Sequence, residues 1–148
     1  MATIRGFSSL DFDSVVRMEA RDSVCAYGAA VFIRQMQALS ESTFFVSEIQ
    51  GGIAGYTIGS VVTKSPKTAW VLRLMVNGNH QRKGIGRRLL VRLIEEFEGL
   101  GVEEVLLSVS PKNHSALPLY RSLGFVEDSF EEAYFGPGED RLILTVKL

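Results

Sequence analysis

Apolar residues recur along this chain at two spacings, and the switches between them mark the elements. Thr3 to Phe7 is short and partly alternating, which predicts a first strand. Ser9 or Asp11 can cap a helix over residues 12–22, where Phe12, Val15, Val16 and Met18 are apolar. A second helical stretch runs from Tyr27 to Leu39, with Ala30, Ile33, Arg34 and Gln37 mixed around it. The period then changes. Thr43 to Ile49 and Ile53 to Val62 predict a hairpin about the turn Gln50-Gly51-Gly52. Gly55 and Gly59 inside its second strand predict a bulge or a close backbone approach. Lys64 to Lys67, with Pro66, predicts a loop before the strongly apolar strand Trp70 to Val76.

Ile85 to Leu100 carries the clearest helical pattern. Ile85, Leu89, Leu90, Leu93, Ile94 and Phe97 form one stripe, and the charged residues mostly lie off it. Val102 to Val109 is apolar enough to be a strand buried on both faces. Ser115 is placed to cap a short helix ending at Leu123, with Pro118 in its first turn, where the missing N–H costs little. Phe125 to Phe130 and Arg141 to Leu148 predict a closing strand pair around Gly136-Pro137-Gly138. The order is strand, two helices, three strands, helix, strand, helix, two strands. Strands linked through helices require some parallel pairing, so the expected class is α/β (α+β): a mixed sheet with helices on its faces.

Composition narrows the picture. A chain of 148 residues, 46% hydrophobic and 22% charged, suits one globular domain spanning 1–148. The net charge of -1 and pI of about 6.1 lack the basic excess of a nucleic-acid partner. No apolar run approaches transmembrane length, and Met1 to Arg5 has no signal-peptide core, so a cytoplasmic protein without a membrane partner is expected. The one cysteine, Cys25, allows no intramolecular disulfide, in keeping with a reducing compartment. Its mixed apolar surroundings predict burial as a small apolar residue rather than a nucleophile.

Candidate chemistry begins at Gln81-Arg82-Lys83-Gly84-Ile85-Gly86, between a buried strand and an amphipathic helix. The first helical turn leaves N–H groups unpaired, and its dipole favours negative charge. Gly84 and Gly86 remove side chains that would hold a phosphate away, and Arg82, Lys83, Arg87 and Arg88 add positive charge. A pyrophosphate suits such a turn. Two glycines and a solvated arginine face would look the same. There is no Gly-Lys-Ser/Thr ending of a nucleotide-hydrolase loop and no third glycine of a dinucleotide fingerprint.

The run Leu74-Met75-Val76-Asn77-Gly78-Asn79-His80-Gln81-Arg82-Lys83-Gly84-Ile85-Gly86 resembles the coenzyme motif of the GNAT superfamily of acyl-coenzyme A-dependent N-acyltransferases. A proline is frequent in that family where this chain has Gly78. The segment Asn113-His114-Ser115-Ala116-Leu117-Pro118-Leu119-Tyr120-Arg121-Ser122-Leu123-Gly124-Phe125 resembles a second family segment, Asn-x-x-Ala-x-x-Leu-Tyr-x-x-x-Gly-Phe. The element order matches along nearly the full chain. The resemblance implies a mostly antiparallel mixed sheet of about seven strands with about four helices. It implies acetyl-CoA as co-substrate, no metal, and direct attack by a primary amine in a ternary complex. It further implies that backbone at Leu74, Met75 and Val76 pairs with the pantetheine arm. Residues Gln81, Arg82, Lys83, Gly84, Ile85, Gly86 and Arg87 then hold the pyrophosphate, and a backbone N–H near Val76 contacts the oxyanion.

Tyr120 matches the tyrosine that protonates the departing thiolate in many members; packing on the helix with a solvated hydroxyl is the alternative. Asn113 can contact the coenzyme or cap its helix. The general base has no obvious candidate. The strand Trp70 to Val76 holds no acidic residue, and Ser108 stands where ribosomal-protein N-terminal acetyltransferases often carry glutamate. Glu19, Glu48 or a water chain are substitutes, and His80 and His114 flank the motifs. Tyr134-Phe135-Gly136-Pro137-Gly138-Glu139-Asp140-Arg141 resembles the Tyr-Tyr-x-x-Gly-Glu-Asp segment of N-terminal protein acetyltransferases, which implies that Tyr134 and Phe135 help hold a peptide. Glu127, Asp128, Glu131, Glu132, Glu139 and Asp140 make this region acidic, suiting either a cationic amine or a solvated surface. The expected acceptor is a peptide or protein N-terminal amine, with a small amine or a non-catalytic acyl-CoA-binding role as alternatives. The closing strands, with Phe130, Tyr134 and Phe135, are a candidate homodimer surface.

Overall fold

The computed structural model describes residues 1–21 and 25–148; Asp22, at the end of the first expected helix, and Ser23 and Val24 lie outside the described residues. Seven strands form one sheet: β1 (Thr3–Gly6), β2 (Phe44–Ile49), β3 (Gly52–Val62), β4 (Ser65–Val76), β5 (Glu104–Val109), β6 (Val126–Glu131) and β7 (Arg141–Lys147). Their spatial order is β1-β2-β3-β4-β5-β7-β6. Every neighbouring pair is antiparallel except β4–β5, which the intervening helix makes parallel.

The helices α1 (Phe12–Arg21) and α2 (Ala26–Leu39) cover one face. Phe7, Val15, Met18, Ile33, Phe44, Val46, Tyr56 and Ile58 are buried there. The helices α3 (Ile85–Gly99) and α4 (Ala116–Ser122) cover the other face. The predicted stripe of α3 does what its spacing requires: Ile85, Leu89, Leu90, Leu93 and Phe97 are all buried.

Three local expectations change. Residues 65–67 belong to β4, not to a loop. Pro66 is tolerated because the ladder jumps from Val62↔Ser65 to Val61↔Ala69, leaving its position outside regular pairing. Cys25 is exposed rather than buried, and its Sγ accepts the Gly28 N–H at 3.4 Å, capping α2. Ser115 makes no side-chain cap; Asn113 Oδ1 takes that role for α4, accepting from Ala116 N at 3.2 Å and from Ser115 Oγ at 3.1 Å.

Candidate active site

The site begins with how β4 pairs on its two sides. Toward β3 the ladder runs almost its whole length, from Val62↔Ser65 to Gly55↔Val76. Toward β5 it holds only from Thr68↔Glu104 to Val71↔Leu107. The ladder also slips by one residue at this point. Ile58 pairs with Arg73 and Gly59 with Val71, so Leu72 is an extra residue, a β-bulge. Past the bulge β4 turns away from β5 and the sheet splits.

Two clefts open at the split. One, of about 570 Å³, is lined by Trp70 to Met75, Leu107 to Ser110, Asn113, Tyr120, Tyr134, Phe135 and Arg141. The other, of about 690 Å³, is lined by Met18, Arg21, Leu74 to Gly78, His80 to Arg82, Gly84 to Arg87, Asn113, Ser115, Ala116, Leu119 and Tyr120. Leu74, Met75, Asn113 and Tyr120 border both, so the two clefts meet through the gap between β4 and β5. Of the residues expected at a coenzyme, all but Lys83 line the larger cleft; Lys83 is exposed.

The larger cleft suits an extended anion. Arg21, Arg82 and Arg87 border it, and no carboxylate does among the described residues. Gly84 begins α3 with no side-chain cap and no acidic residue in the first turn, so the first amides carry no protein acceptor there. The two glycines differ in what they supply. Gly84 has φ +78°, a left-handed conformation that a side chain would strain, whereas nothing lies within 4 Å of its missing Cβ. A Cβ on Gly86 would meet Leu119 and Val76 at an ordinary 3.6 Å, so there the absent side chain keeps space open. Gln81 Nε2 donates to Val76 O at 3.2 Å and closes the loop back onto β4. Asn77 N donates to Ala54 O on β3 at 2.7 Å. Strand alternation then turns the amides of Val76 and Leu74 toward the gap.

Arg88 does not join this charge. Its Nη1 donates to Ala2 O at 2.8 Å and fastens the chain's N-terminal end. Arg21 reaches the cleft from α1 and donates to Asn77 Oδ1 at 3.0 Å, a contribution no local motif announces.

Tyr120 is 8% exposed, and its ring meets Phe125 edge-on at 6.0 Å. Burial pushes its hydroxyl up to about 12, so the phenol stays protonated at neutral pH. Across the smaller cleft, Tyr134 and Phe135 pack edge-to-face at 4.9 Å. Their turn is held by Ala133 N donating to Asp140 Oδ1 at 2.8 Å.

The candidate carboxylate bases lie elsewhere. Glu19 borders neither cleft; it accepts from Tyr56 Oη at 2.6 Å and from Arg73 Nε at 3.0 Å. Glu48 sits at the β1–β2 edge of the sheet, paired with Arg5 at 2.7 Å. Ser108 lines the smaller cleft, and His80 the larger, while His114 lines neither. The acidic run after Gly124 contributes no lining residue to either cleft. Strand β6 and its turn carry those carboxylates away from the split.

Comparison with known proteins identifies the family. The model of the acetyltransferase (GNAT) family matches residues 12–125. The [ribosomal protein bS18]-alanine N-acetyltransferase of Escherichia coli K12 is 30% identical over 141 residues, 95% of this chain and 92% of that one. An N-alpha-acetyltransferase of Sulfurisphaera tokodaii is 28% identical, covering 98% of this chain and 92% of that one. A putative acetyltransferase from Salmonella typhimurium, solved with its cofactor acetyl-CoA, superposes with a TM-score of 0.83 at 23% identity, over 100% of this chain and 94% of that one. The chain belongs to the GNAT acetyltransferase family, whose members use acetyl-CoA, and it is an N-acetyltransferase.

Proposed function

We propose that this chain transfers an acetyl group from acetyl-CoA to the N-terminal amine of a peptide or protein, by direct attack across the split between β4 and β5. The observation that carries the reading is the meeting of two clefts at Leu74, Met75, Asn113 and Tyr120. The arginine-lined cleft takes the coenzyme, with its pyrophosphate on the first turn of α3 and its arm along the open edge of β4. The smaller cleft takes the amine, between β4 and the aromatic pair Tyr134 and Phe135. The coenzyme supplies an activated acyl thioester. The relatives' action on a ribosomal-protein alanine and on N-alpha amines favours a peptide acceptor.

The chain's own groups then have distinct tasks. The amides of Leu74 and Val76 face the gap, where the acyl oxygen gains charge during attack. Tyr120 stabilises the departing thiolate by donating a hydrogen bond. A free thiol titrates at about 8.5, so full proton transfer from a phenol at about 12 would be uphill by on the order of 5 kcal/mol. No carboxylate among the described residues borders the amine cleft. The acceptor must therefore arrive neutral or lose its proton to water.

This dictates a pH profile. Below the acceptor's own pKa, kcat/KM should rise tenfold per pH unit and level near pH 8, roughly the value of an α-amine. No descending limb should appear up to about pH 9.5, because Tyr120, which must keep its proton to donate, titrates far higher. Initial rates with an alanyl peptide between pH 6 and 9.5 give the test. A plateau beginning near pH 6 would reveal an enzyme base and refute this route. A rise continuing beyond pH 9 with the favoured acceptor would point to a lysine or polyamine amine instead.

A further inference from the structure

The amine cleft holds two charges among its described lining residues, and both are arginines, Arg73 and Arg141. This is unlike the acidic surface that the sequence places around Glu127 to Asp140. We propose that the cleft selects an acceptor carrying a carboxylate beside its amine, as in a peptide with aspartate or glutamate in its first two residues, bound by Arg73 and Arg141. The inference rests on the assignment of this cleft to the acceptor.

Each guanidinium is fixed before any ligand arrives. Arg73 donates Nε to both oxygens of Glu19, at 3.0 and 3.1 Å, and Nη1 to Leu72 O at 2.8 Å. Its guanidinium also lies over the Phe32 ring at 4.5 Å. Arg141 donates to Glu139 at 3.0 Å and to Asp140 O at 2.8 Å, and packs over the Phe135 ring at 5.0 Å. Neither carboxylate partner lines the cleft: Glu19 is buried against α1's face of the sheet, and Glu139 is exposed on the turn. An arginine has five N–H donors. At Arg73, Nε uses one and Nη1 one more, so three remain for a ligand. A solvated surface arginine would be mobile and well exposed; the Arg141 side chain is only 20% exposed. Because both side chains are already ordered, a carboxylate that binds them loses little to ordering them.

Place and sign give the selectivity. Arg73 directly precedes Leu74, one of the four residues where the clefts meet, so a carboxylate at Arg73 belongs to the acceptor's first or second residue. A lysine or arginine in that part of the acceptor would face two guanidiniums, so rejection accompanies attraction. A nearby guanidinium also disfavours the ammonium form of the acceptor amine, which helps where no carboxylate base lines the cleft.

The test uses the full chain and three peptides that differ only at the second residue, Ser-Glu, Ser-Gln and Ser-Lys, with free glutamate as a small-molecule arm. Both kcat/KM with acetyl-CoA and calorimetric affinity in the presence of coenzyme A are measured. The glutamyl peptide should exceed the glutaminyl one by about tenfold or more in both, and the lysyl peptide should fall below them. Arg141→Gln should pull the Glu/Gln ratio toward one. Arg73→Lys should do so too while keeping a cation on Glu19, and melting curves of both variants show that they remain folded. Free glutamate bound as well as the peptide would place the carboxylate on a small amino acid. Charge-dependent binding without turnover of any peptide would sink the peptide-acceptor reading and leave the carboxylate site at Arg73 and Arg141 standing. Equal affinity for all three, binding of none, or a ratio unmoved in both variants would overturn the inference.

Discussion

The two long edges of β4 behave in opposite ways. Toward β3 the strand spends its hydrogen bonds within the sheet, and small residues let the neighbours close in. A Cβ on Gly59 would lie 2.5 Å from Phe97 Cζ and 3.0 Å from Trp70 O; one on Gly55 would lie 2.7 Å from Met75 O. Toward β5 the same strand keeps four residue pairs and then opens, with its free amides and the start of α3 facing space. Both edges use glycine, but on the closed edge it is demanded by protein atoms and on the open edge by none. Steric necessity on one side and unexplained room on the other distinguish structure from site.

The largest expected effect breaks the closed edge. Gly59→Ala should cost roughly 3 kcal/mol, because a buried ring and a backbone carbonyl would both have to shift. At about 2–4 °C per kcal/mol for a chain of this size, the melting point should fall by about 10 °C, with or without acetyl-CoA. An unchanged melting curve would show that Phe97 and β4 yield easily and that the contrast between the edges is overdrawn.

Next comes the open edge. Gly86→Glu places a carboxylate at the start of α3, where the dipole favours it and the neighbours leave space, so the chain should remain as stable as before. At a hundredfold excess over its Kd, acetyl-CoA should stabilise the unmodified chain by about 2.7 kcal/mol, and this variant by almost nothing. Thermal unfolding of both with and without the coenzyme reads the difference. A full coenzyme shift in the variant would remove the pyrophosphate from α3.

The smallest effect sharpens the junction. Tyr120→Phe should lower kcat by about 10- to 100-fold, the scale of one hydrogen bond to a charged leaving atom. The coenzyme-induced thermal shift should persist. A fall in that shift with kcat intact would return Tyr120 to a packing role.

The framework of this architecture was legible because its elements are strongly periodic. The stripe of α3 and the apolar runs of β4 and β5 leave little choice of period, and Gln81 to Gly86 lies where a strand hands over to a helix. What escaped was decided across the chain. Pro66 reads as a loop breaker until the irregular ladder opposite it is known. Arg88 looks like one more phosphate cation, yet Ala2 takes it. Arg21 and Arg73 reach the clefts only because α1 and the bulged strand pack as they do. Glu19 looked available as a base, but burial against Tyr56 and Arg73 occupies it.

The extra residue at Leu72 has one more consequence. Ala69 and Val71 point to the α3 face, and so do Leu74 and Val76, while Leu72 and Met75 point to the α1 and α2 face. Odd numbers face one way before the bulge and even numbers after it, so the strand changes parity in mid-course. The pairing of Val76 with Gly55 is thereby set by the bulge. Deleting Leu72 alone would make Val71 and Arg73 consecutive opposite Gly59 and Ile58 and leave every downstream side chain on its present face; what would be lost is the bend, so the extra residue acts as a wedge that holds β4 and β5 apart.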